Sequence, residues 1–143
     1  MLALGILIVT EAQAMARMCL FSPVNGVVLF NGEPVAGAAL TRSWFWHWKD
    51  RRGEDVTHTD AAGRFSFPAV YGSSLLGGIL PHEPVIEQKI IIDHAGDSYR
   101  AWVYTKGLYS ENGERNGMPI RLTCRLESEP SRKEGIFGIC ELS

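Results

Sequence analysis

The dipeptide Asn31-Gly32, set between Val27-Val28-Leu29-Phe30 and Glu33-Pro34-Val35, constrains this chain more than any other feature. Asn and Gly both tolerate the positive φ that a type I′ turn needs at its two central residues, and that turn matches the twist of two antiparallel strands. The same punctuation recurs along the sequence. Asp60-Ala61-Ala62-Gly63 separates a short run at 56–59 from Arg64-Phe65-Ser66-Phe67. Asp60 can bond the backbone N–H groups of its own turn, and Gly63 can supply a positive φ. His94-Ala95-Gly96-Asp97 divides residues 85–92 from 99–105, and a polar stretch at 127–135 divides the apolar runs 120–126 and 136–142. No segment has the period of an amphipathic helix. Seven or eight short strands with turns between them predict an all-β chain folded as an antiparallel sandwich or barrel. Residues 49–55 read as a charged loop. Residues 71–84 and 106–118 read as long loops, the second with one helical turn.

At 143 residues the chain is long enough for one domain and short for two. Its 14 basic and 16 acidic residues give a net charge of −2, which supplies no electrostatic case for nucleic acid or an anionic membrane surface. No apolar run reaches the roughly 18 residues that a membrane helix needs. Residues 2–10 (LALGILIVT) have the length of a signal-peptide core, and Ala12-Gln13-Ala14 and Ala14-Met15-Ala16 each offer a small-x-small cleavage pattern, the second cutting before Arg17, although no Lys or Arg precedes Leu2. The expectation is export to a periplasm, with 1–16 as signal peptide and 17–143 as one sandwich domain.

The cysteines suit that compartment. Cys124 and Cys140 lie in the two apolar runs on either side of the polar stretch 127–135, so a hairpin would set them opposite each other, within disulfide reach. Cys19 is then left over, or it takes one of the other two, since three cysteines permit three single bridges. The lack of a Cys-x-x-Cys excludes a zinc ribbon or a redox dithiol.

Chemistry is sparse. His47, His58, His82 and His94 include no i, i+4 pair, and only His47 with His58, on neighbouring predicted strands, could form a metal pair. There is no Gly-x-Ser-x-Gly, Walker loop or Gly-x-Gly-x-x-Gly, and the carboxylate pair Glu54-Asp55, like Glu127 and Glu129, falls in a polar loop. A non-catalytic protein without metal or cofactor is expected. Trp44, Trp46 and Trp48 alternate with Ser43, Phe45 and His47, so a strand would send the three indoles to one face. Beside Arg51 and Arg52 they form either a recognition stripe or a sheet core. Leu75, Leu76, Ile79 and Leu80, followed by His82-Glu83, form either a cover for the open end of a sandwich or an apolar plug aimed at a partner.

Two segments, residues 26–38 (GVVLFNGEPVAGA) and 59–67 (TDAAGRFSF), resemble the transthyretin-like, or carboxypeptidase-regulatory-like, sandwich family. That resemblance implies a transthyretin-like antiparallel β-sandwich, often non-catalytic and exported. The hydroxyisourate hydrolases of that fold carry a Tyr-Arg-Gly-Ser-type tail and an early histidine; this chain has neither such a motif nor a His before His47. Cys19-Leu20-Phe21-Ser22-Pro23, the Trp-rich segment, His82-Glu83-Pro84 and residues 99–102 make the chain similar to small periplasmic immunity proteins that neutralise a type VI secretion metallopeptidase toxin. The partner implied is that toxin, and the Trp-rich segment and long loop make Trp44, Trp46, Trp48, Arg51, Arg52, Leu75, Leu76, Ile79, Leu80, His82 and Glu83 the residues expected to bind it. The alternative is an envelope adhesive or carbohydrate-binding module that uses the same tryptophans.

Overall fold

The computed structural model describes residues 17–143, and the expected signal segment at 1–16 lies outside them. The chain forms an all-β sandwich. Its larger sheet has six strands in the order β11 (Ser131–Lys133), β12 (Ile136–Gly138), β9 (Asp97–Lys106), β8 (Ile86–His94), β4 (Ala39–Trp46) and β5 (Arg51–His58). Facing it are β13 (Cys140–Leu142), β10 (Ile120–Arg125) and β2 (Val24–Phe30), with β3 (Glu33–Pro34) and β6 (Arg64–Phe67) both paired to β2. A two-stranded ribbon of β1 (Met18–Phe21) and β7 (Val70–Gly72) closes one end. Eight of these thirteen strands have four residues or more.

The turn residues act as the sequence predicts. Asn31 and Gly32 take φ of 49° and 83°, and Ala95 and Gly96 take 50° and 83°, which joins β2 to β3 and β8 to β9 through two-residue turns. Asp60 Oδ1 accepts the N–H groups of Ala62 and Arg64 at 2.9 Å each. Alternation then builds the core: Leu40, Ile90, Ile92 and Trp102 from the larger sheet meet Val24, Val28, Phe65, Phe67, Ile120 and Leu122 from the smaller. Cys124 and Cys140 pair directly in the β10–β13 register and are disulfide-bonded, while Cys19 is a buried free thiol.

Three expectations change. Residues 49–55 are not a loop, because β5 already begins at Arg51 and pairs with β4 along its whole length. Its charges fit an edge strand with a solvated face, and its inward Asp55 neutralises the fully buried Arg42 through two hydrogen bonds of 3.0 and 2.7 Å. The sheets are not wholly antiparallel either. β2 and β10 run parallel from Val24↔Ile120 to Leu29↔Arg125, as the long chain between them permits. The segment 71–84 carries the end of β7 and a short helix, α1 (Leu75–Ile79), whose N-cap Ser74 accepts the Gly77 N–H at 3.0 Å.

Candidate partner-binding surface

The tryptophan stripe does not form as a stripe. β4 ends at Trp46, and His47–Lys49 turns into a 3-10 helix, so Trp48 leaves the strand. Trp46 is buried with Met18, Leu20 and Ile86. Trp44 is half-buried and lies against the backbone of Gly53, where a Cβ would fall 2.4 Å from the indole. Arg51 and Arg52 are both exposed but point to opposite faces of β5, and Arg52 sits 4.0 Å above the Phe45 ring on the outer face. His47 and His58 lie at opposite ends of the β4–β5 ladder, since His58 pairs with Ala39 and His47 follows Trp46. They make no metal pair, and no group of three metal-ligating side chains occurs among the described residues.

What the structure does bring together is Trp48, His82, Tyr109, Trp46 and α1. Trp48 stacks on the His82 ring at 3.8 Å and 16°. His82 Nδ1 lies 3.0 Å from the Leu80 carbonyl, which can only accept, so in the neutral ring Nδ1 carries the proton and Nε2 accepts the Tyr109 hydroxyl at 2.7 Å. The Tyr109 oxygen in turn accepts the Trp46 indole N–H at 2.9 Å. Burial pushes the Tyr109 phenol above its ordinary pKa, partly countered by that indole N–H. Trp48 Nε1 also donates to Ser74 Oγ at 3.4 Å, at the cap of α1. The helix and the residues after it are thus fastened to the sheet by an aromatic and hydrogen-bonded chain. On this mount Leu76, Ile79 and Leu80 are 60%, 67% and 46% exposed. Leu108, beside Tyr109, is 44% exposed, and Glu83 is exposed next to His82.

Sequence reasoning missed Tyr109 and Leu108. It also missed a buried polar cluster beneath β1. Glu114 Oε1 accepts the Ser22 hydroxyl at 2.6 Å, Glu114 Oε2 accepts the Ser22 N–H at 3.0 Å and Gln88 Nε2 at 2.9 Å, and Lys106 Nζ lies 3.3 Å from Oε1. Lys106 also donates to the Cys19 carbonyl and Gln88 to that of Leu20, at 3.0 and 2.9 Å. Burial alone would raise the Glu114 pKa. The Lys106 charge and the Ser22 and Gln88 hydrogen bonds outweigh it and hold the carboxyl below its ordinary 4.5. Serine, acid and lysine suggest hydrolytic chemistry by type. Here the Lys106 and Glu114 side chains are fully enclosed, as is Ser22, so no substrate reaches them. The cluster clamps β1.

The molecule is therefore an all-β sandwich that carries a short apolar helix fastened to its sheet by an aromatic and hydrogen-bonded chain. Over residues 24–129 the sequence matches the family model described as a domain of unknown function, DUF6795, and the chain belongs to that family. Comparison with curated proteins returns no match, and comparison with solved structures returns none.

Proposed function

We propose that this protein is a non-catalytic periplasmic immunity protein that binds a secreted antibacterial toxin and occludes it, the toxin being a type VI metallopeptidase effector. The supporting observation is the exposure of Leu76, Ile79 and Leu80 on a helix held by the Trp48–His82–Tyr109–Trp46 chain. Apolar side chains kept in water by a stiff mount bury surface on binding with little further loss of conformational freedom, which favours tight complexes. His82 has both ring nitrogens engaged, so Glu83 is the group left to approach a toxin's metal. The Cys124–Cys140 disulfide is compatible with export, and no helix among the described residues is long and apolar enough to cross a membrane. The transthyretin-like resemblance belongs to the same reading, since it supplies a rigid frame for loops that bind. A sugar-stacking module has less support, because Trp46 is buried, Trp44 lies on Gly53 and Trp48 is stacked on His82.

The test is a pull-down from the periplasm with the tagged chain, followed by affinity measurement with the captured metallopeptidase domain. Recovery of that domain in a one-to-one complex, weakened about tenfold or more by Ile79→Asp, supports the reading. An empty eluate from cells shown to express the toxin overturns it.

A further inference from the structure

Beyond that reading, the outer face of the six-stranded sheet carries a second surface. Strand register sets one straight row across it: Glu54, Ser43, Lys89, Val103, Phe137 and Arg132 are successive cross-strand partners. Lys89 and Arg132 are exposed, and neither has a carboxylate partner among the described residues. Between them Val103 and Phe137 form a half-buried apolar floor. Arg100, also exposed and unpaired there, lines the same depression of about 540 Å³, which adjoins one of about 560 Å³ around Phe45 and Arg52 through the shared Val103, Tyr104 and Thr105. Three cations without a carboxylate partner among the described residues, Lys89, Arg100 and Arg132, thus surround an apolar floor, with the Arg132 guanidinium 5.8 Å from the centre of the Phe137 ring.

The spacing selects the ligand. Lys89 and Arg132 are three strand intervals apart, about 14 Å at roughly 4.8 Å each, which is close to the span of four extended residues at about 3.3 Å. Carboxylates at positions i and i+4 of an extended peptide would meet the two cations, and the residue at i+2, on the same side, would fall on Val103 and Phe137. A uniform polyanion fits less well, because Glu54 stands in the same row and Glu87 in the next, where His47 holds it at 2.6 Å. We propose that this face binds an extended acidic peptide segment of the pattern acid-x-apolar-x-acid, laid across the strands. The site is separate from α1 and recognises charge spacing.

The probe is a capped, fluorescein-labelled Glu-Ser-Phe-Ser-Glu peptide, titrated at low salt by fluorescence anisotropy and by amide chemical-shift mapping. Saturable binding in the sub-millimolar range is expected, with shifts at Lys89, Val103, Phe137 and Arg132 and none on α1. Lys89→Glu and Arg132→Glu, both at exposed positions, each lower affinity about tenfold with unchanged thermal unfolding. Ile79→Asp leaves peptide binding intact, and Lys89→Glu leaves toxin binding intact, so the two surfaces fail independently. The proposal is overturned by absence of saturation, by equal binding of Gln-Ser-Phe-Ser-Gln, or by a sulfated polysaccharide that shifts the same amides more strongly than the peptide.

Discussion

Two regions of this molecule reverse the usual distribution of polarity. Beneath β1 an ion pair, Lys106 and Glu114, is enclosed with every partner accounted for, whereas α1 holds leucine and isoleucine in water. Both arrangements cost free energy that an ordinary distribution would not. The interior one is repaid within the fold, because its donors and acceptors bind the backbone of β1 at Cys19, Leu20 and Ser22. The exterior one leaves Leu76, Ile79 and Leu80 46–67% exposed, which is the reason to seek its compensation in a partner. A polar group bonded to several fold elements reads as structure, and an apolar group left largely in water on a fastened helix reads as a contact surface.

That contrast breaks first, and by the largest amount, at Glu114. Glu114→Ala strands a buried ammonium and costs about 3–5 kcal/mol, read as a lower urea midpoint. Lys106→Met combined with Glu114→Gln recovers much of the loss, since no unpaired charge then remains. The pair also contributes to the acid limb of the stability curve. A carboxyl whose pKa is depressed in the folded state contributes stability that is complete above its unfolded value of 4.5 and is lost as pH falls through the lower folded value. Stability of the parent chain therefore drops below pH 4.5, and the Glu114→Gln variant has a flatter profile there. An identical acid limb in the two proteins would remove the ion pair from this account.

The disulfide ranks next. Cys124→Ser with Cys140→Ser opens a loop with a sequence separation of 16, and chain-entropy arguments give a loss of about 3 kcal/mol. Denaturant unfolding of the double variant checks it, and a drop well under 1 kcal/mol would mean that β10–β13 pairing holds without the bridge.

Much of this was legible before the structure. Asn31-Gly32, Asp60 with Gly63 and Ala95-Gly96 mark turns by local stereochemistry, and local signals survive folding unchanged. Cys124 and Cys140 could be paired because their runs are symmetric about a polar stretch. β5 was hidden because Arg51-Arg52-Gly53-Glu54-Asp55 has the composition of a loop. What makes it a strand is its pairing with β4 and the burial of Arg42 against Asp55, a tertiary fact. The surface shows the same division. Leu76, Ile79 and Leu80 were visible as apolar residues in a loop, but the Tyr109 that anchors them is 27 residues from His82 and 63 from Trp46. No local pattern connects positions so far apart. Trp48 fell outside its predicted face because an alternating run does not reveal where a strand ends.

Tyr109 sharpens the comparison from between the two regions, being a half-buried polar group that serves the exposed one. Tyr109→Phe removes the acceptor for Trp46 and the donor to His82 while keeping the ring. The expected loss is about 1–2 kcal/mol of global stability. Amide exchange should speed up chiefly in α1, with the β8–β9 ladder little changed. Uniform acceleration would mean that the hydroxyl stabilises the sandwich rather than the mount.

The smallest effect on the fold carries the most information. Ile79 is 67% exposed at the end of α1, so Ile79→Ser removes almost no buried area and should move stability by no more than about 0.5 kcal/mol. If α1 is the contact surface, the same substitution lowers toxin affinity about tenfold, mainly through faster dissociation, because an apolar anchor is lost with no change in long-range charge. The matched control is Phe30→Ser, which removes a similarly exposed apolar side chain, 50% accessible, at the end of β2. It should leave affinity unchanged. Equal losses from the two substitutions would make general surface hydrophobicity the driver of binding, and the mount built from Trp48, His82 and Tyr109 would then have only a structural purpose.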